Sequence, residues 1–239
     1  MATGSYLLEI DWLGSGNFTG TSDNVSSRVN GVDWRRGRDY ASQLTGRSIA
    51  GAFYAILDNR LGTYSPSNSS SPISGSILPG RAVRLQMDGT VVWYGYLQNV
   101  VPSPNIHDIA RVRLNAVGPL GLIGQRKVDV PMLSPAITGT TIGTILAQAG
   151  WTGGTSLDAG QTTMDRYWAS NILAIDALRQ VEETENGFLW EQKTGTIAFD
   201  NRQKRLAGTY TTSQATFTDS CTGTLGYAEI REEDPHTTI

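Results

Sequence analysis

Protein chemistry needs groups that titrate, ligate or attack, and this 239-residue chain holds few of them in workable groupings. A Ser-His-Asp triad would have to use His107, in the Pro-rich stretch PSPNIHD, or His236, three residues from the end. No Gly-x-Ser-x-Gly elbow joins a strand pattern to a helix pattern. Cys221, in TDSCTGT, has no neighbouring His or basic group to lower its pKa and reads as an inert, half-buried thiol. One cysteine rules out an internal disulfide framework and a thiolate cluster, and two histidines leave little for zinc. The visible carboxylates, Glu182, Glu183 and Glu185 and those from Glu229 to Asp234, read as solvated ends of a helix and a strand. The separation of a glycosidase pair is a property of the fold, so the carboxylates do not exclude that chemistry. No phosphate-cradling loop or dinucleotide fingerprint occurs in a strand–turn–helix setting, and the expected cofactor is none.

Two further groupings could bind rather than react. Arg35, Arg36 and Arg38 could hold phosphate, but Asp33 and Asp39 flank them in a chain of formal net charge −3. Guanidinium–carboxylate pairing, within the chain or across a subunit boundary, is the preferred reading. A sequence-specific nucleic-acid binder would carry a basic face, and the acidic balance argues against one. Six Trp and nine Tyr invite a sugar-binding reading. Yet Trp12, Trp34, Trp93 and Trp190 all fall at strand positions, which favours core. The sequons at Asn17, Asn24 and Asn68 are chance matches in Ser/Thr-rich loops.

The elements that must position these residues are mainly strands. Charged residues are only 17% of the chain and glycines number 27, which suits short strands joined by turns. No apolar run approaches the length of a membrane span, and the N-terminus lacks a basic leader. Residues 5–12 alternate, with Tyr6, Leu8, Ile10 and Trp12 on one face and Glu9 and Asp11 on the other. Val32 and Trp34 face inward in the next short strand, and residues 48–58 are apolar on both faces, as in a strand covered on both sides. Asp88-Gly89 is a two-residue hairpin signal between strands 81–87 and 90–100. Val112, Leu114 and Ala116 face inward in a further strand. About six strands within 117 residues predict a small antiparallel barrel or sandwich.

The texture then changes. Ile142, Ile145, Leu146 and Ala149 form a helical stripe stopped by Gly150. A second helix is predicted over 170–187, capped by Ser170, with an exposed acidic tail, and a hairpin over 188–200 turning at Lys193-Thr194-Gly195. Two helices and a hairpin predict a compact α+β unit. The last thirty residues return to strand texture, as if a further β domain begins there.

Between Asp58 and Ala82 the chain spends over twenty residues on Ser, Gly, Pro and Asn, too long for an ordinary connection. Its fixed points are Leu57-Asp58-Asn59-Arg60, Gly62, Tyr64-Ser65-Pro66, Ser71-Pro72 and Pro79-Gly80-Arg81, then Val83-Arg84. They follow VSSRVNGVDWRRGRD at 25–39 and precede a hairpin ending WYGYL and the strand RVRLNAVGPLGLI. This order resembles the minor tail and tail-tip proteins of long-tailed bacteriophages, the baseplate hub group, well over residues 5–124 and loosely beyond.

The resemblance implies a mainly β chain: a tail-tube-like β-barrel or sandwich over 1–124, with an extended loop arm at 58–82. A small α+β domain over 125–206 and the start of a second β domain over 207–239 follow. It implies a non-enzymatic homo-oligomeric ring at the distal end of the tail tube, trimeric or hexameric, made in the host cytoplasm and carried on the virion. Its neighbours would be distal tail or tube, tape measure, and fibre or receptor-binding proteins. The assembly-arm candidates are Trp34, Arg36, Arg38, Asp58, Asn59, Arg60, Tyr64, Pro66, Pro72, Pro79 and Arg81. Asp58, Asn59 and Arg60 would fix the root of the arm by turn hydrogen bonds and an ion pair. Leu61 and Thr63 depart from the family pattern of acidic or small and basic residues. Hub proteins carry two tube-like barrels per chain where this sequence shows one. A hexameric distal tail ring is thus the alternative, and a cell-wall carbohydrate-binding or glycosidase module is the second.

Overall fold

A computed structural model describes residues 5–38, 47–103, 110–206 and 212–213; the side chains of Arg38 and Arg205 are not among them. His107, Cys221, His236, Asp39, the acidic run from Glu229 to Asp234 and the expected second β domain lie outside the described residues. Met1–Arg202 is one compact unit and Gln203–Ile239 a second.

Six strands form one antiparallel sheet: β1 (Tyr6–Ile10), β2 (Val29–Arg38), β3 (Ser48–Asp58), β4 (Ala82–Met87), β5 (Thr90–Ser103) and β6 (Arg111–Val117). Their order is β1-β4-β5-β6-β3-β2. The sheet curls into a half-barrel, so the fold is mainly β, as expected. Alternation along each strand explains the curl's interior. Leu8, Ile10, Phe53, Leu57, Val83, Leu85, Trp93, Val112 and Leu114 pack into one buried core. Asp88 and Gly89 both have positive φ, the conformation that the tightest hairpins require and that Asp-Gly supplies. The β1 edge is not bare: Ile10 donates to the Asp23 carbonyl, Val25 to the Leu8 carbonyl, and the Leu8 amide to the Ser26 hydroxyl.

The remainder of the first unit builds a second core. Helix α1 (Pro119–Gly124) leads to β7 (Lys127–Leu133), β8 (Ala136–Ile137), α2 (Thr138–Gln148), β9 (Thr155–Leu157), β10 (Thr163–Met164) and β11 (Tyr167–Leu173). Then come α3 (Ala174–Glu185), β12 (Phe188–Glu191) and β13 (Ile197–Asp200). The predicted α2 stripe is buried as read. The 188–200 hairpin forms, with Gly195 at positive φ in its turn. The second helix needs correction. Residues 170–173 are strand, Leu173 precedes the helix, and Ser170 binds Asp129 instead of capping. The αL position after α3 is taken by Asn186 rather than Gly187.

Candidate functional site

The 58–82 segment is ordered along its whole length. Its backbone is a run of turns that share residues. Gly62 donates to the Asn59 carbonyl, Ser65 to Gly62, Asn68 to Ser65, Ser71 to Asn68 and Ser74 to Ser71, at 2.8 to 3.1 Å. Each bond spans three residues, so turn-forming residues recur at every third position. Pro66 and Pro72 occupy the second place of two of these turns, where a φ fixed near −65° suits the geometry.

Side chains lock the run. Asn59 accepts the Tyr64 amide at 2.9 Å and donates to the Ser65 hydroxyl at 3.0 Å. Asn68 donates to the Gly62 carbonyl, and the Ser71 hydroxyl to the Thr63 carbonyl at 2.6 Å. At the root, the Arg60 guanidinium meets the Asp58 carboxylate at 2.6 Å. That side-chain hydrogen bond holds the Asp58 carboxyl below its ordinary value of 3.8. At the far end Arg81 donates to the Ser76 carbonyl, and Gly80, at positive φ, donates to the Leu97 carbonyl.

The segment is seated on its own half-barrel. Tyr64 and Ile73 enter the sheet's core, with Tyr64 6.0 Å from Trp12 between ring centroids. Burying two such side chains favours the folded segment by about 1.5–3 kcal/mol each, enough to offset much of the entropy of ordering a turn-rich stretch. Pro66, Pro72 and Pro79 stay at the surface with the exposed Leu61 and Leu78.

The other candidates lie along β2. Trp34 pairs in register with Phe53 and packs half-buried on the core, while Arg36 is exposed and Arg38 ends the strand. Among the described residues no hydrogen bond or ion pair joins Trp34 or Arg36 to the turn run, so the candidates divide into two groups.

The carboxylates overturn a sequence-based expectation. Glu183 is exposed, but Glu182 and Glu185 are buried, and Glu185 is 0% exposed. Glu185 accepts from the Thr138 hydroxyl and the amides of Gln161 and Thr162 at 2.8 to 3.0 Å. Burial opposes its ionisation, yet these donors together hold it below its ordinary 4.5. Glu182 accepts the Leu189 amide at 2.7 Å and pairs with Arg179, whose other nitrogen donates to the Ser48 carbonyl in β3. Nothing in the sequence pattern marks Glu191, in β12. It accepts the amides of Gly51, in β3, at 2.9 Å and Leu120, in α1, at 2.7 Å. Burial dominates there and raises its pKa, despite those amides and that of Gly121. Glu191, and Glu182 through Arg179, tie the α+β part to the sheet, while Glu185 joins elements within the α+β part. Beside them Tyr94, Tyr96 and Trp151 stack edge to face at 5.9 and 6.0 Å, and burial pushes the Tyr96 hydroxyl up to about 12. Each of these three acids is occupied by structural donors, an arrangement that holds parts of the fold together. Among the described residues no group of three His, Cys, Asp or Glu is placed to hold a metal, and no helix is long and apolar enough to cross a membrane.

No protein-family model and no curated protein sequence matches this chain. Its likeness lies in three-dimensional structure. The 43 kDa tail protein of prophage MuSo2 from Shewanella oneidensis superposes with a TM-score of 0.55 at 14% identity, covering 83% of this chain and 54% of that one. The tail protein from Neisseria meningitidis MC58 gives 0.54 at 10% identity, over 82% and 50%. An E. coli component of the type VI secretion system, described as structurally similar to T4 bacteriophage tail proteins gp27 and gp5, gives 0.50 at 12%, over 74% and 49%. The fold is therefore one found in phage tail proteins and in a secretion-system relative of them. This chain spans about half the length of those structures.

Proposed function

We propose that the chain is a structural component of a phage tail, set in the hub ring at the distal end of the tail tube, where it contributes to tail assembly and to the conduit for DNA ejection. The observation that carries the reading is the half-barrel closed by its turn run, within a fold that phage tail proteins share across four-fifths of this chain. We read residues 1–124 as the ring-forming part and 125–206 as an outer decoration, with 207–239 opening a second β domain. The turn run supports an assembly role in a particular way. Its inner side is spent on the chain's own core, which leaves a stiff outer rim of Leu61, Pro66, Pro72, Leu78 and Pro79 to meet a neighbour without further ordering cost. The exposed Arg36 on β2 offers a second contact region for carboxylates of the next subunit.

Two copy numbers follow from two arrangements. Three copies fit a chain carrying two tube-like barrels, and six fit a chain carrying one, as in a distal tail ring. The 58–82 turn run favours the hub and its three copies, the single half-barrel among the described residues the ring of six. Negative-stain microscopy and mass measurement of the purified chain, alone and with tube protein of the same tail, test the reading. Rings of three or six copies stacked on tube ends are expected. A chain that stays monomeric and leaves tube ends bare contradicts it.

A further inference from the structure

The ribbon of β7 and β11 carries a feature that the tail role does not use. Its buried side is Val128, Val130, Tyr167 and Ala169, while its outer side exposes Trp168 at 63% and Met132 at 64%. Two irregularities in the pairing shape that outer side. Tyr167 faces Leu133 and Ala169 faces Val130, so Pro131 and Met132 together lie across from Trp168 alone. Ala169 faces Val130 and Ile172 faces Val128, so Asp129 lies across from both Ser170 and Asn171. Bulges re-aim side chains, and the second is pinned: Asp129 Oδ1 accepts the Asn171 amide at 2.9 Å and the Ser170 hydroxyl at 3.1 Å, with Asn171 held at a φ of 51°.

The result is an open groove of about 530 Å³ lined by Asp129, Pro131, Met132, Arg166, Trp168 and Ser170. Trp168 and Met132 bring an indole and a thioether to its lining. Arg166, exposed and in no ion pair among the described residues, and the second oxygen of Asp129, without a hydrogen bond among them, supply donors and an acceptor. A wholly apolar occupant would desolvate both charges without pairing them. A sugar ring meets both demands, since it has an apolar C–H face and a rim of hydroxyls. An acetamido group adds a methyl for the thioether and an amide for the charged pair.

We propose that this ribbon is a glycan-binding site for polymers of N-acetylated amino sugars. The ring stacks on Trp168, the acetamido methyl rests on Met132 and Pro131, and Asp129 and Arg166 bond the hydroxyls and the amide. The site stands on the ribbon alone and is independent of the ring reading.

Calorimetric titration of the full chain with a β-linked tetramer of N-acetylglucosamine tests it, with the glucosamine and glucose tetramers as controls. Saturable binding of the acetylated tetramer, tighter than either control, is expected. Trp168→Ala should weaken it by about tenfold or more, as loss of a stacked aromatic anchor does, and Trp168→Phe should keep part of it. Asp129→Asn retains the oxygen that pins the bulge and should still weaken binding. Thermal melting should be unchanged in all three variants, because the altered atoms face solvent. No saturable binding, equal affinity for the three tetramers, or full affinity in Trp168→Ala each overturns the proposal.

Discussion

At the scale of single residues, Glu191 shows how one side chain joins distant parts. A Cβ on Gly118 would stand 2.0 Å from its carboxylate, and one on Gly51 2.8 Å, so two glycines make room for the acid. Gly118→Ala should therefore destabilise the chain by about 1–3 kcal/mol, although its φ of −69° suits any residue. In Glu191→Ala the obstacle is gone, and adding Gly118→Ala should then cost far less; additive losses in urea unfolding would contradict the contact. Glu191 and Glu185 also predict opposite pH behaviour. The folded value of Glu191 lies above its ordinary 4.5, so its contribution is most favourable below that pH and declines as pH rises through the raised value. Glu185 lies below 4.5 in the fold, so its contribution is present above that pH and is lost as pH falls through the depressed value. Glu191→Gln should remove a decline of stability with rising pH, and Glu185→Gln should remove a loss on acidification. Unfolding profiles with unchanged pH slopes would refute both assignments. None of these roles was legible in the sequence, because the donors to Glu191 lie 71 and 140 residues away and those to Glu185 come from a loop and a helix start.

At the scale of elements, what the sequence reveals depends on whether the signal is local. Alternation along β6, the Asp88-Gly89 turn and the α2 stripe are local, and each is present in the structure. Along β1 Leu8 and Ile10 are buried as read, but Tyr6 is exposed and Glu9, paired with Arg84, and Asp11 are buried. The boundary of β11 and α3 is not marked locally, since strand runs into helix at Leu173 without a polar cap, and Ser170 imitates one. β7 has a partner, β11, whose last four residues the sequence pattern assigns to the helix, so the pairing is not visible locally. The turn run was legible as a special segment from its Ser-Pro and Asn residues, but its seat on the core was not, because Tyr64 and Ile73 are single apolar residues in a polar stretch. Their burial yields a direct prediction. Ile73→Ala should cost about 2–4 kcal/mol, measurable as a lower unfolding midpoint. Arg60→Ala should behave differently. Arg60 is 63% exposed, and exposed pairs contribute little, so the melting temperature should barely move while ring assembly falls. Equal loss of both would make Arg60 part of the fold alone.

At the scale of the whole molecule, two cores share one compact unit, joined by the polar contacts of Glu191, Glu182 and Arg179 and by apolar contacts such as Ala50 against the second core and Tyr96 on Trp151. The half-barrel presents the stiff rim, and the α+β part presents the Trp168 ribbon. The measurement that tests this account most directly is immunogold electron microscopy of particles from the source, with an antibody against this chain. Gold confined to the distal end of the tail is the predicted result. Particles without gold, with the protein free in the lysate, would contradict the structural role.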